Sequence, residues 1–312
     1  MTGDRHPPPW PELPGYDAWS ATCDTLHAHT QTLGKLAVAL APPEPQLMHG
    51  ALRLTARGWE TRPLPAPDGS GAIVVLLDLR EHVAAVEHSD GRTSSVPLTA
   101  HRSVGEVTVD LVGAVAAMVG PAPINTRPQE VPWTVALDQD SEHATYDEQA
   151  VTSYFAAATR ASLALNALRA PYRGRVSPVN AWWGSFDLSI SIYSGRPAEP
   201  QSDDFIFRNS MNAQHIEIGW WPGDTRFSRP AFFAYAAPAP PSLSAVAVAP
   251  APVRWDSNLG EFLFEWADVV AADDAQAAVL EFGRSFLAHA CAACGWDSTL
   301  AASAQGVLPP IT

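Results

Sequence analysis

The sequence predicts an α+β protein made of two halves, each a set of antiparallel strands flanked by helices. Long stretches with apolar residues at three- and four-residue spacing read as helices. Short alternating runs bounded by Gly, Pro and Asp read as strands. The order helix, strands, helix then occurs twice, and the proline-rich stretch Pro121–Pro132 lies between the two occurrences. The expected halves are 1–125 and 126–312, an arrangement that suggests duplication, although no identity between the halves is visible.

The first helix is expected from Asp17 to Leu40, with Asp17 as its cap and Pro42-Pro43 as its stop. Trp19, Cys23, Leu26, Thr30, Leu33, Ala37 and Leu40 form one apolar stripe on it. Strands follow at Ala51–Ala56, Ile73–Leu79 and Val83–His88. Ser89-Asp90-Gly91 then signals a hairpin into Thr93–Pro97. A second helix is expected from Ser103 to Met118, ended by Gly120-Pro121. In the second half, Thr145–Glu148 has the form of a capping box. Behind it, Tyr154, Ala158, Ala161, Leu165 and Leu168 mark a helix face. Further strands are expected at Asn180–Tyr193, Asn212–Trp221, Ala231–Ala237 and Glu261–Glu265, and a last helix from Asp274 to Cys294. The segment Pro238–Pro252, rich in Ala and Pro, reads as an extended surface connection or as a docking site for a partner.

Composition narrows the classes of function. In 312 residues there are 19 Lys+Arg and 33 Asp+Glu, a formal net charge of −14, and the only lysine is Lys35. Without a basic run, neither nucleic acid nor an anionic membrane surface is an expected partner. Hydrophobic residues make up 46%, enough to fill a core. No stretch approaches a membrane span, and the polar start Met1–Trp10 does not read as a signal peptide. Three cysteines are not a disulfide framework, so a reducing cytoplasm is the simple expectation. Cys291 and Cys294 fall on the apolar face at the C-terminal end of the last helix, where packing explains them better than thiolate chemistry.

Two places could carry chemistry. Period two over Trp182–Ile192 puts Trp183, Ser185, Asp187, Ser189 and Ser191 on one face, with Trp182, Phe186 and Leu188 opposite. In Asn212–Trp221, His215, Glu217 and Trp221 share a face. If these strands are neighbours, Ser185, Asp187, His215 and Glu217 converge beside Trp183 and Trp221. A wet outer sheet face accounts for the polar residues, but not for two tryptophans. On the first helix, Cys23, His27, Gln31 and Lys35 step by four, forming a polar seam that is either a solvated edge or a pocket lining. His27 and His29 are two apart and cannot share a metal on a helix, so no metal is expected. Nucleotide, phosphate-loop, nucleophile-elbow and zincin templates are missing, and no cofactor is expected.

Several segments together resemble a bacterial family known as domain of unknown function 5996. They are Cys23–Lys35, Leu54–Gly58, Ser177–Leu188, Gly219–Gly223, Ala231–Ala236 and Leu259–Leu263, and the likeness runs from about Trp10 to Trp296. The resemblance implies no activity. It marks His27, Gln31, Lys35, Trp183, Ser185 and Asp187 as part of the family's pattern, and it implies packing for the cysteine pair.

The expected function is binding of a small molecule in a cleft between the halves. His27, Gln31, Lys35, Trp183, Ser185, Asp187, His215 and Trp221 are the expected ligand-binding residues. One alternative is a cofactor-independent hydrolase or group-transfer enzyme at the same place, with His27 or His215 as base and Asp187 as orienter or acid. Another is an interaction module acting through Pro238–Pro252. A His–Asp hydrogen bond in the cleft would favour catalysis, whereas a Trp-walled pocket with scattered polar groups would favour binding.

Overall fold

The structure is a computed structural model and describes residues 9–172, 174–297 and 299. The start of the chain, expected above to hold no signal peptide, lies outside them up to Pro8.

A short 3-10 turn, Tyr16–Ala18, leads into helix α1 (Ser20–Leu40), so Asp17 sits in that turn instead of capping the helix. From Thr22 to Ala37 almost every residue of α1 is buried, on all sides of the helix. The expected stripe is therefore only part of its contact surface. A helix buried all round must satisfy its polar side chains internally. Thr32 meets Thr108 at 3.0 Å, and Thr30 donates to the His27 carbonyl at 2.7 Å.

The first sheet comprises β1 (Arg53–Leu54), β2 (Gly58–Glu60), β3 (Leu64–Pro65), β4 (Ala72–Asp78), β5 (Val83–His88) and β6 (Thr93–Pro97). Its order is β1-β2-β4-β5-β6, with β3 also paired to β4, and every pairing is antiparallel. Helix α2 (Val104–Val119) covers β5 and β6. Ser103 and Glu106 cap it reciprocally, satisfying two free N–H groups at once. Helix α3 (Glu148–Arg169) starts two residues later than the Thr145 box predicts. The Asp147 carboxylate accepts from the N–H groups of Gln149 and Ala150, and an acidic cap suits the positive end of a helix.

The second sheet holds β7 (Asn180–Trp182), β8 (Asp187–Pro197), β9 (Ala213–Trp221), β10 (Ala231–Ala237), β11 (Arg254–Asp256) and β12 (Glu261–Glu265), in the order β11-β12-β10-β9-β8-β7. Between β8 and β9 lies the short helix α4 (Phe205–Ser210). After β12 come α5 (Trp266–Ala271) and α6 (Ala275–Ala293), the latter capped by Asp274. The fold class is thus α+β with two six-stranded antiparallel sheets, as expected. The sheets meet edge to edge where Leu52 and Ala181 exchange backbone hydrogen bonds of 3.1 and 3.0 Å. A cluster of buried side chains runs from α1 and the first sheet into α3, the second sheet and α6.

The expected strand Asn180–Tyr193 is in fact a hairpin. Trp183–Phe186 forms its turn, and Phe186 has φ 58°, in the left-handed region. Period two holds only while the backbone stays extended, so the turn exchanges the faces. Trp182 pairs with Asp187, and its indole N–H donates to Ser189 Oγ at 3.1 Å. Trp183 turns inward, its indole N–H donating to the Gly50 carbonyl at 3.0 Å. Gly34 of α1 makes room for it, since a Cβ there would overlap the Trp183 ring. Phe186 stacks with Trp59, Tyr154 and His27 at centroid distances of 5.2, 5.1 and 4.9 Å.

The Pro238–Pro252 segment is tied down more firmly than an extended surface connection. It contains a 3-10 turn at Pro241–Ala245, buries Leu243 and Val248, and donates the Ala249 N–H to Ser285 Oγ on α6 at 3.0 Å. Cys291 joins the core and Cys294 packs against it, both as free thiols.

Candidate functional site

The inner face of the second sheet is apolar: Ile190, Ile218, Trp220 and Phe232 face the core beneath α3 and α6. The outer face is built row by row. Ser191, Glu217 and Tyr235 lie side by side on β8, β9 and β10, and Ser189, Gly219 and Phe233 form the next row. Over these rows lies a cavity of about 460 Å³. Helix α4, the Asn258–Gly260 turn, Gln46, Leu47 and Glu130 complete its lining, so the first half contributes Gln46 and Leu47 and the join, Pro121–Pro132, contributes Glu130.

One side of the cavity is aromatic. Trp221 and Phe233 lie 5.5 Å apart edge-on, and Phe233 and Tyr235 stack at 6.2 Å. Gly219 has no side chain because the Phe233 ring and the Leu188 carbonyl occupy the place a Cβ would take.

The floor is acidic. Asp187 is 7% exposed; the Ser185 hydroxyl donates to its Oδ1, and none of the described residues donates to Oδ2. Burial pushes this carboxyl well above the usual range, helped by the charges of Glu217, Glu130 and Glu261 and opposed by the Ser185 hydrogen bond. Glu217 accepts from Ser189 Oγ, which in turn accepts from the Trp182 indole. His215 donates Nδ1–H to the Ala213 carbonyl at 2.8 Å, since a carbonyl can only accept. That leaves His215 Nε2 facing Glu217 at 3.9 Å, beyond hydrogen-bond reach. Glu261 is pushed up to about 7 by burial, against the pull of Arg226. Glu130 is exposed as a residue, but its carboxyl turns in to where a Cβ on Gly184 would have to sit, and the crowding there strips it of water and raises it to about 7, with Asp204 raising it further and Arg226 opposing. Arg226 also lines the cavity, but its guanidinium is committed to Asp224 at 2.6 and 3.0 Å.

Ser185, Asp187, His215 and Trp221 therefore come together as expected, and Trp183 reaches the same cavity from the hairpin turn. His27, Gln31 and Lys35 do not line it. His27 donates Nε2–H to the carbonyls of Trp183 and Gly184 at 3.0 Å each, and burial lowers the ring to about 4. Gln31 binds the Gln129 backbone twice, donating at 2.9 Å and accepting at 2.8 Å. Lys35 Nζ donates to the Arg127 carbonyl at 2.5 Å, and burial lowers it to about 8. The seam thus grips the backbone of two segments that carry cavity residues, the hairpin turn and the join. Glu130, Glu261, Phe233 and Tyr235 were not among the candidates read from the sequence. Alternation along β10 could have found the two aromatics, whereas nothing local marks the two glutamates. Among the described residues no three or more His, Cys, Asp or Glu gather as a metal-binding group.

The molecule is, by fold and site, an α+β protein with an acid-floored, aromatic-walled cavity on the outer face of its second sheet. The chain belongs to a family of unknown function, DUF5996, whose family model matches residues 10–303. No curated protein and no solved structure matches it. No helix among the described residues is long and apolar enough to cross a membrane.

Proposed function

We propose that this protein binds a small organic molecule in the cavity over its second sheet. The observation that carries the reading is Asp187. The residue is 7% exposed, and its Oδ2, to which none of the described residues donates, opens on the cavity, where a ligand's donor can meet it. The volume suits a small ligand, and the mixture of a broad apolar wall with a few convergent polar groups is what such sites use.

Binding is favoured over hydrolysis or group transfer by the histidines. His27 is committed to two backbone carbonyls, His215 lies 3.9 Å from a carboxylate, and the hydrogen bond to Asp187 comes from a serine. A base and its orienter need hydrogen-bond contact. The Pro238–Pro252 reading loses its main support, because Leu243 and Val248 are buried in this chain's own structure.

Native mass spectrometry of freshly purified protein tests the proposal, with Ser191→Phe as the cavity-filling control. Wild-type protein is expected to carry a small-molecule adduct that the folded variant lacks. The reading fails if wild type carries none and no compound of a chemically diverse library raises its melting temperature more than that of Ser191→Phe.

A further inference from the structure

Resting on that reading, we infer that the ligand is an organic cation: an ammonium-type head at the free oxygen of Asp187, in a cavity whose other carboxyls, Glu217 and Glu261 among them, add negative charge, on an apolar body lying against Trp221, Phe233 and Tyr235. The argument is one of matching donors to acceptors. An ammonium brings three donors and no acceptor. The cavity offers the reverse. Asp187 has one oxygen free, and none of the described residues donates a hydrogen bond to Glu261 or Glu130. The hydroxyl donors beside these acids are already committed, that of Ser185 to Asp187 and that of Ser189 to Glu217, which leaves the indole N–H of Trp221 as a buried donor without a partner among the described residues, against four carboxyls.

Charge points the same way. Four carboxyl residues line the cavity, and the cation among them, Arg226, is paired with Asp224. An anionic ligand would meet carboxyls with no free positive partner. A neutral polyol needs donors and acceptors in balance, and the free groups of this wall are mostly acidic. The aromatic side adds attraction of its own, because ring faces bind organic cations, more strongly when water is excluded. Buried acids left together are costly, and a cation is what makes their ionised forms tolerable.

The test uses three compounds of one shape with the full-length protein at pH 8: 3-phenylpropylammonium, 3-phenylpropan-1-ol and 3-phenylpropanoate, measured by titration calorimetry. The ammonium is expected to bind, the alcohol about tenfold or more weaker, and the carboxylate not at all. Asp187→Asn and Glu261→Gln should each weaken the ammonium while leaving the alcohol unchanged. Should Asp187→Asn fail to fold, Glu261→Gln carries the comparison, as its residue is only half-buried. If the alcohol or the carboxylate binds as tightly as the ammonium, or if the native adduct proves neutral or anionic, the cation assignment falls while the binding reading stands. If none of the three binds and no adduct is found, both fall.

Discussion

Glu261 is a carboxylic acid whose ionisation folding makes harder. Its folded value of about 7 lies above the ordinary 4.5, so the native state binds more protons than the unfolded chain between those two pH values. Stability from this group therefore falls as pH rises through that window and stays reduced above it. Glu261→Gln should melt at the same temperature as wild type near pH 4 and higher than wild type at pH 8, as read by thermal unfolding without ligand. Equal melting temperatures at pH 8 would mean that the carboxylate is comfortable where it sits. At Gly34 the effect is steric. Gly34→Ala drives a methyl group into the Trp183 ring, and overpacking of this kind costs about 1–3 kcal/mol. Denaturant unfolding should show that loss.

Helix α1 acts as a post to which part of the cavity's lining is tied. Gln31 holds the backbone of Gln129, and Glu130 is the next residue. Gln31→Ala leaves the Gln129 N–H and C=O without these partners, which should cost about 1–3 kcal/mol. It should also weaken ligand binding by loosening Glu130, even though Gln31 does not line the cavity. A variant with lowered stability and unchanged affinity would reduce the seam to simple packing. Lys35 adds a pH signature. Its folded value of about 8 lies below the ordinary 10.5, so the unfolded chain binds more protons between them, and stability rises with pH across that range. Lys35→Met should lack that rise.

The helices and strands were largely legible in the sequence because their apolar periods are strong. Val83–His88, Thr93–Pro97, Ala231–Ala237 and Glu261–Glu265 coincide with the expected strands. Short elements such as β11 and α4 were not, since three residues of strand or six of helix are too few to show a period. The site was legible where one strand holds it: Asp187, His215 and Trp221 follow from alternation. The left-handed Phe186 exchanged the places of Trp182 and Trp183, a reversal that no periodic count contains. The polar seam of α1 has the same spacing whether it meets water or buried carbonyls, so only the neighbours decide its role.

At the scale of the molecule, the continuity of the two sheets depends on the backbone exchange between Leu52 and Ala181. Ala181→Pro removes one of those donors at a fully buried position, and a proline inside paired strands is poorly tolerated. A loss of about 3 kcal/mol or more is expected in denaturant unfolding. The acidic floor of the cavity has a consequence for the solution around the protein. Burial favours the protonated form of Asp187, and Glu130 and Glu261, each raised to about 7, are partly protonated near neutral pH. A cationic guest would expel those hydrogen ions as it enters, so in a weakly buffered solution each binding event would acidify the medium, and the heat measured would change with the ionisation enthalpy of the buffer chosen.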